Sequence, residues 1–226
     1  IIALLMPILG SIADMEGMKK KFIVGCVGTG VVATVALGIP TSAMAFLVIY
    51  VISSVALNSS MVFYDALLVD ATTDERMDEV SSQGYAWGYI GSCVPFIACL
   101  LIVLNYDKLG LGLQTAMQIA FAITAAWWLV FTIPMLRDVE QKHFKPRESG
   151  AIAKAIGGIG GTLKEMWSNK AIKFYMIAYF FYIDGVHTII KLSTSYGTDL
   201  GIDATQLVLA LLVTQFVAFP SAIIYG

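Results

Sequence analysis

The chain has 226 residues, of which 13% are charged and 58% belong to the AVILMFWYC set, with a mean hydropathy of +0.79; a water-soluble domain carries about 25% charged residues. A soluble core has no use for that much apolar surface, and the net charge of −2, with no basic face, gives no footing for nucleic acid. Cys26, Cys93 and Cys99 all lie in apolar runs without metal-ligand spacing, and there are only two histidines, so neither a disulfide framework, a metal site nor a cofactor is expected.

In chain order, the end of one apolar run occupies residues 1–9, and further runs follow at 22–39, 43–64, 84–104, 115–136, 172–191 and 205–226. Each of the six is long enough to cross about 30 Å of hydrocarbon as a helix. Turn residues or charges separate them: Pro40-Thr41 makes a very short connection, and Asn105 to Gln114 a glycine-containing one. The predicted fold class is therefore all-α, a polytopic transmembrane helix bundle. The chain opens on Ile1-Ile2-Ala3-Leu4-Leu5 and ends inside another apolar run, and it reads as a stretch of a longer protein.

Orientation follows from the basic residues. Of the 14 Lys and Arg, 12 fall in the loops on one side, and only Lys108 and Lys191 on the other, which makes the first side cytoplasmic. The longest polar stretch, Arg137 to Lys170, is on that side. Within it Ile152, Ile156, Ile159, Leu163 and Met166 recur at steps of four and three, the spacing of an apolar stripe on a helix, with Lys154 and Lys164 available to headgroups. The reading is a cytoplasmic linker with an interfacial helix.

The first loop, Gly10-Ser11-Ile12-Ala13-Asp14-Met15-Glu16-Gly17-Met18-Lys19-Lys20, resembles the loop between the second and third spans of major facilitator transporters, Gly-x-x-x-Asp-(Arg/Lys)-x-Gly-(Arg/Lys)-(Arg/Lys). Met15 and Met18 stand where that pattern has basic residues. Phe63-Tyr64-Asp65-Ala66-Leu67-Leu68-Val69-Asp70, Val80-Ser81-Ser82-Gln83-Gly84-Tyr85-Ala86-Trp87-Gly88-Tyr89-Ile90-Gly91 and Tyr179-Phe180-Phe181-Tyr182-Ile183-Asp184-Gly185-Val186-His187-Thr188-Ile189 are similar to the fourth-to-fifth and seventh spans of the vacuole-effluxer branch. That branch includes autophagy-related vacuolar amino-acid effluxers and bacterial relatives of unassigned substrate. The resemblance implies a twelve-span protein, here from the end of span 2 to span 8. Residues 1–136 would belong to the N-terminal six-helix bundle, 137–171 to the cytoplasmic linker and 172–226 to the start of the C-terminal bundle. It further implies a secondary transporter of a small polar solute, with amino acids favoured, acting by alternating access. A monomer in a plasma (bacterial inner) or vacuolar-type membrane is expected, with lipid and protons as its other partners.

Asp184 is the sharpest signal. It lies about 16 Å along a helix from Lys173, near the bilayer middle, where a charge costs at least about 2.5–3.5 kcal/mol unless it meets a cavity or a partner. His187, Thr188, Lys191 and Ser195 follow at i+3, i+4, i+7 and i+11 on one stripe, with Tyr182 on its flank. Three roles fit Asp184: proton exchange tuned by His187, binding of substrate ammonium or hydroxyl groups, and a structural ion pair. Asn58 is a candidate for the same pathway in a serine-rich fourth span, against the alternative of helix packing.

Gly10, Asp14, Gly17, Lys19 and Lys20 make a candidate cytoplasmic latch, with Tyr64 and Asp65 assigned to the gate beside it. Gly84, Gly88 and Gly91 are predicted helix-contact positions on the fifth span. The acidic run Asp70, Asp74, Glu75, Asp78 and Glu79 lacks calcium-loop spacing and reads as a solvated loop. Within the spans there is no Gly-x-Ser-x-Gly, no His-Glu-x-x-His and no acid pair at helical spacing to speak for an intramembrane enzyme, so no catalytic residue is assigned. The competing class is a membrane sensor or scaffold on a transporter fold.

Overall fold

A computed structural model describes residues 9–10, 12–40, 42–144 and 151–225, without the side chains of 151–156, 159 and 162. Its long elements are α1 (Met18–Ala36), α2 (Ala43–Asp65), the four-residue α3 (Leu68–Ala71), α4 (Met77–Leu104), α5 (Leu113–Asp138), α6 (Ala151–Ser168), α7 (Lys170–Asp199) and α8 (Ala204–Tyr225). A single 3₁₀ turn, Asp74–Arg76, leads into α4. The architecture is all-α, as expected. The end of the first apolar run, at 1–8, lies outside the described residues, as do the side chains of Ile152, Ile156 and Ile159.

Among the described residues, four stretches are long and apolar enough to cross a membrane: Ala43–Ala71, Asp74–Leu104, Leu113–Asp138 and Ala204–Tyr225. The other two predicted spans are helices that fall short of that measure. α1 carries Lys19, Lys20 and Lys21 in its first turn, and α7 breaks its apolar run with tyrosines, Asp184 and His187. The helices also outrun the predicted apolar runs. α4 starts seven residues before Gly84, and α7 continues eight residues past Lys191, because a helix continues in water once begun, whereas hydropathy marks only the greasy part.

Apolar side chains point outward along most of these helices: Val32, Met44, Trp87, Phe131, Phe181 and Val217 are each more than half exposed. That distribution suits lipid, which solvates such surfaces as readily as a core does. The buried core is small and lies in the first half of the chain, where Ala13, Ile23, Val27, Phe63 and Leu67 pack together against Phe22, Trp128, Met135 and Leu136. Phe22 and Phe63 stack with ring centroids 5.1 Å apart.

α1 packs against both α2 and α5, and α4 packs against α5 and α8. Two glycines permit close approaches around α1. At Gly30, an added Cβ would run into the indole of Trp128 on α5 and come within 3.4 Å of Ala56 on α2. At Gly38 it would meet the Gln118 side chain at 2.6 Å, and Gln118 Nε2 donates to the Gly38 carbonyl at 2.9 Å. A Thr34–Ser53 hydroxyl pair at 2.9 Å joins α1 to α2 between them. The expected contact role of Gly84, Gly88 and Gly91 is not met inside this chain. A Cβ at any of the three meets no atom within 4 Å among the described residues, because these glycines lie on an open face of α4.

Candidate functional site at the inner face

Two polar regions emerge, one closed and one open. The closed one is built around Asp70. Phe63, Leu67 and Asp70 follow each other at steps of four and three, so they share one face of the helical path, and all three are buried. Asp70 thereby enters the same interior as the core phenylalanine, with its side chain wholly inaccessible.

A carboxylate in that position must collect donors, since an unpaired buried charge is very costly. Lys19 Nζ donates to Asp70 Oδ2 at 2.7 Å and to the Ala66 carbonyl at 2.7 Å. Asp70 Oδ1 accepts the backbone N–H of Lys142 at 2.9 Å and of His143 at 2.7 Å, with His143 Nδ1 at 3.1 Å. An ammonium and two amide N–H groups all favour the charged form of the acid. Lys19 is itself only 3% exposed, so the pair is a buried ion pair that holds three stretches of chain in register.

Those stretches are the start of α1, the end of α2 with α3, and the segment after α5. Further bonds tie the same three together. Lys20 Nζ donates to the Leu136 carbonyl at 2.8 Å. Gln141 Nε2 reaches the carbonyls of Ala13 and Met15 at 3.2 and 3.1 Å. Gln141 Oε1 is buried with no partner among the described residues.

Gly17 sits at the N-cap of α1 with φ +66°, the left-handed region that favours glycine. The Gly10 carbonyl accepts the Asp14 N–H at 3.2 Å, closing the preceding turn. Met15, at a position where the pattern carries a basic residue, is 5% exposed and points inward.

The predicted latch is thus brought together in part. Gly10, Gly17, Lys19 and Lys20 take positions in it, but Tyr64 and Asp65 do not join it. Both are exposed, and they lie in electrostatic range of Tyr85 on α4, as do Tyr89 and Tyr179. Asp70 is the correction: its carboxylate is a buried hub, whereas Asp74, Glu75 and Asp78 are exposed, the first two in the 3₁₀ turn and Asp78, like Glu79, in the first turn of α4 rather than in a loop. The sequence signal for it is the apolar pair Phe63 and Leu67, which lead into Asp70 at steps of four and three.

The open region is the stripe on α7. Tyr182, Asp184, His187, Thr188 and Lys191 are all exposed, and among the described residues none of their side chains makes a hydrogen bond or ion pair within the chain. Asp184 and His187 share a helix face without bonding to each other. Asn58 is also exposed, and its amide donates to the Ser54 carbonyl one turn back at 2.7 Å. No group of three or more His, Cys, Asp or Glu suited to a metal occurs among the described residues.

Helices long and apolar enough to cross a membrane, with their apolar side chains turned outward, define a multi-pass membrane protein. The family model "Vacuole effluxer Atg22 like" matches residues 1–226, and the chain belongs to that family, on the major facilitator fold. It is 45% identical over its full length to the "Uncharacterized MFS-type transporter YxiO" of Bacillus subtilis (strain 168), of which it covers 54%. It is 26% identical to Autophagy-related protein 22-1 of Aspergillus niger over 62% of the chain and 24% of that protein. A similar match, 26% identical over 63% of the chain and 25% of the relative, is found with Autophagy-related protein 22 of Coccidioides immitis. The chain therefore spans about half the length of its bacterial relative. No solved structure matches it.

Proposed function

We propose that the chain is part of a secondary transporter that moves a small polar solute by alternating access, with the α7 stripe lining its pathway. The observation that carries this is Asp184: a carboxylate midway along a mostly apolar helix, exposed and without a partner among the described residues. A charge at that depth is tolerated where it faces a water-filled cavity or a ligand. The family relationship supports transport, and the names of the fungal relatives' family support efflux. An amino acid fits the stripe, since Asp184 can receive an ammonium group while Thr188 and Lys191 offer donors to a carboxylate. Proton coupling through Asp184, beside His187, belongs to the same reading.

In this reading α1 and α7 also cross, giving six spans with the basic loops inside. Residues 1–136 belong to the first bundle, 137–171 to the linker and 172–226 to the second. The docking of Gln141–His143 on the first half supports a linker that begins as an extension of that half. The protein works as a monomer, in a plasma membrane for a bacterial source.

The test is solute uptake into proteoliposomes carrying the full-length protein, with panels of amino acids and sugars, with and without a pH gradient. Gradient-driven uptake that Asp184→Asn abolishes, with counterflow retained, is the expected result. Equal uptake by both proteins removes Asp184 from coupling. No uptake of any solute by folded protein rejects transport in favour of a sensor or scaffold.

A further inference from the structure

We propose that the corner between α6 and α7 is a binding site for the headgroup of an anionic phospholipid of the inner leaflet, formed by Lys164, Lys170 and Lys173 around Trp167. The proposal rests on reading α7 as a membrane span, which places its first turn at the inner surface.

The corner is a built feature. Only Asn169 separates the two helices, and its Oδ1 caps α7 by accepting the N–H groups of Ala171 at 3.1 Å and Ile172 at 3.3 Å. The change of direction is therefore fixed at one residue. Across it, Lys173 Nζ lies 5.4 Å from the centroid of the Trp167 ring, a cation–π distance that joins the two helices. Lys164 stands one turn before Trp167, and the two line an open hollow with Leu163 and Ser168.

None of the three lysines has an acidic partner among the described residues. Glu165 is next to Lys164 in sequence but points about 100° away around the helix. Lys164 and Lys173 thus flank two large apolar groups, Leu163 at 52% and Trp167 at 55% exposure, and Lys170 stands one turn before Lys173 at the start of α7. A soluble anion would engage the lysines and leave that apolar surface wet. A phospholipid satisfies both, with its phosphate among the ammonium groups and its upper acyl carbons against Leu163 and the indole. Trp at the headgroup level and lysines reaching outward are what such a boundary selects.

The test uses the full-length protein in nanodiscs of phosphatidylcholine, or of phosphatidylcholine and phosphatidylglycerol in equal shares, with bromine on the acyl chains of one lipid at a time. The contribution of Trp167 is the quenching that Trp167→Phe removes. Brominated phosphatidylglycerol is expected to quench it more than brominated phosphatidylcholine. Each of Lys164→Gln, Lys170→Gln and Lys173→Gln should lower that preference about fivefold, as expected for a basic residue at an anionic surface. Equal quenching by the two lipids, or a preference that survives the triple variant, overturns the site, and so does the absence of quenching. Labelling of Lys170→Cys and Leu200→Cys with a membrane-impermeant thiol reagent checks the span separately. If both react from the same side, α7 does not cross, whatever the lipid result.

Discussion

Asp70 and Asp184 are two carboxylates in one chain, and their surroundings are opposite. Asp70 is enclosed, paired with Lys19 and bonded to the amides of Lys142 and His143. Asp184 is exposed on α7 with no partner among the described residues. The difference separates two uses of a charge near a membrane. A saturated one fixes the relative position of chain segments, while an unsaturated one is available to something that comes and goes. The enclosed carboxylate lies in the first half of the chain and the open one in the second.

The comparison is broken most sharply by removing either member of the buried pair. Asp70→Ala or Lys19→Ala leaves its partner charged and enclosed, at a cost of about 3–5 kcal/mol. Thermal unfolding in detergent should show a large loss for both, while the double variant should lose less than the sum of the two. If Asp184→Asn destabilises the protein as much as Asp70→Asn does, the assignment of Asp184 to an open pathway fails.

A second contrast is between glycines. Gly30→Leu drives a side chain into Trp128 and should cost about 1–3 kcal/mol or more, visible as reduced yield and melting temperature. Gly88→Leu should leave melting of this chain nearly unchanged, because no atom lies within 4 Å of the added carbon.

The smallest effect concerns Asp203, which caps α8 by accepting the Thr205 N–H at 2.8 Å. The Thr205 side chain and amide hold its carboxyl below the ordinary aspartate range. A lowered folded value means a stabilising contribution that is complete above the unfolded value and lost as pH falls through the folded one. Melting curves of wild type and Asp203→Ala should therefore differ slightly at neutral pH and converge in acid.

The bundle itself was legible in the sequence, since apolar length and lysine placement act on the chain locally. The glycine at position 17 was legible too, because a left-handed residue at a helix start leaves few other choices. Asp70 was not, although Phe63 and Leu67 announced its face. Its meaning depends on Lys142 and His143, which lie more than 70 residues away and carry no motif. The same holds for Gly30, whose neighbour Trp128 is supplied by a distant helix. Small residues spaced along Gly84, Gly88 and Gly91 have the pattern of a contact, but a pattern does not say whether a partner arrives.

The length of α7 has a mechanical consequence. Thirty residues make a rod of about 45 Å, against about 30 Å of hydrocarbon, so on the proposed crossing roughly a third of it would stand clear of the lipid. At its C-terminal end the Leu207 side chain crowds against Gly197, and a tight turn through Gly201 hands the chain to α8. α8 in turn reaches α4 through the edge contact of Phe219 with Trp87. A rocking of α7 by only ten degrees about its inner end would sweep the outer end through about 8 Å. On the proposed alternating-access reading the helix would be a lever, carrying a short displacement at the Asp184 level to its far end and, through α8, to α4.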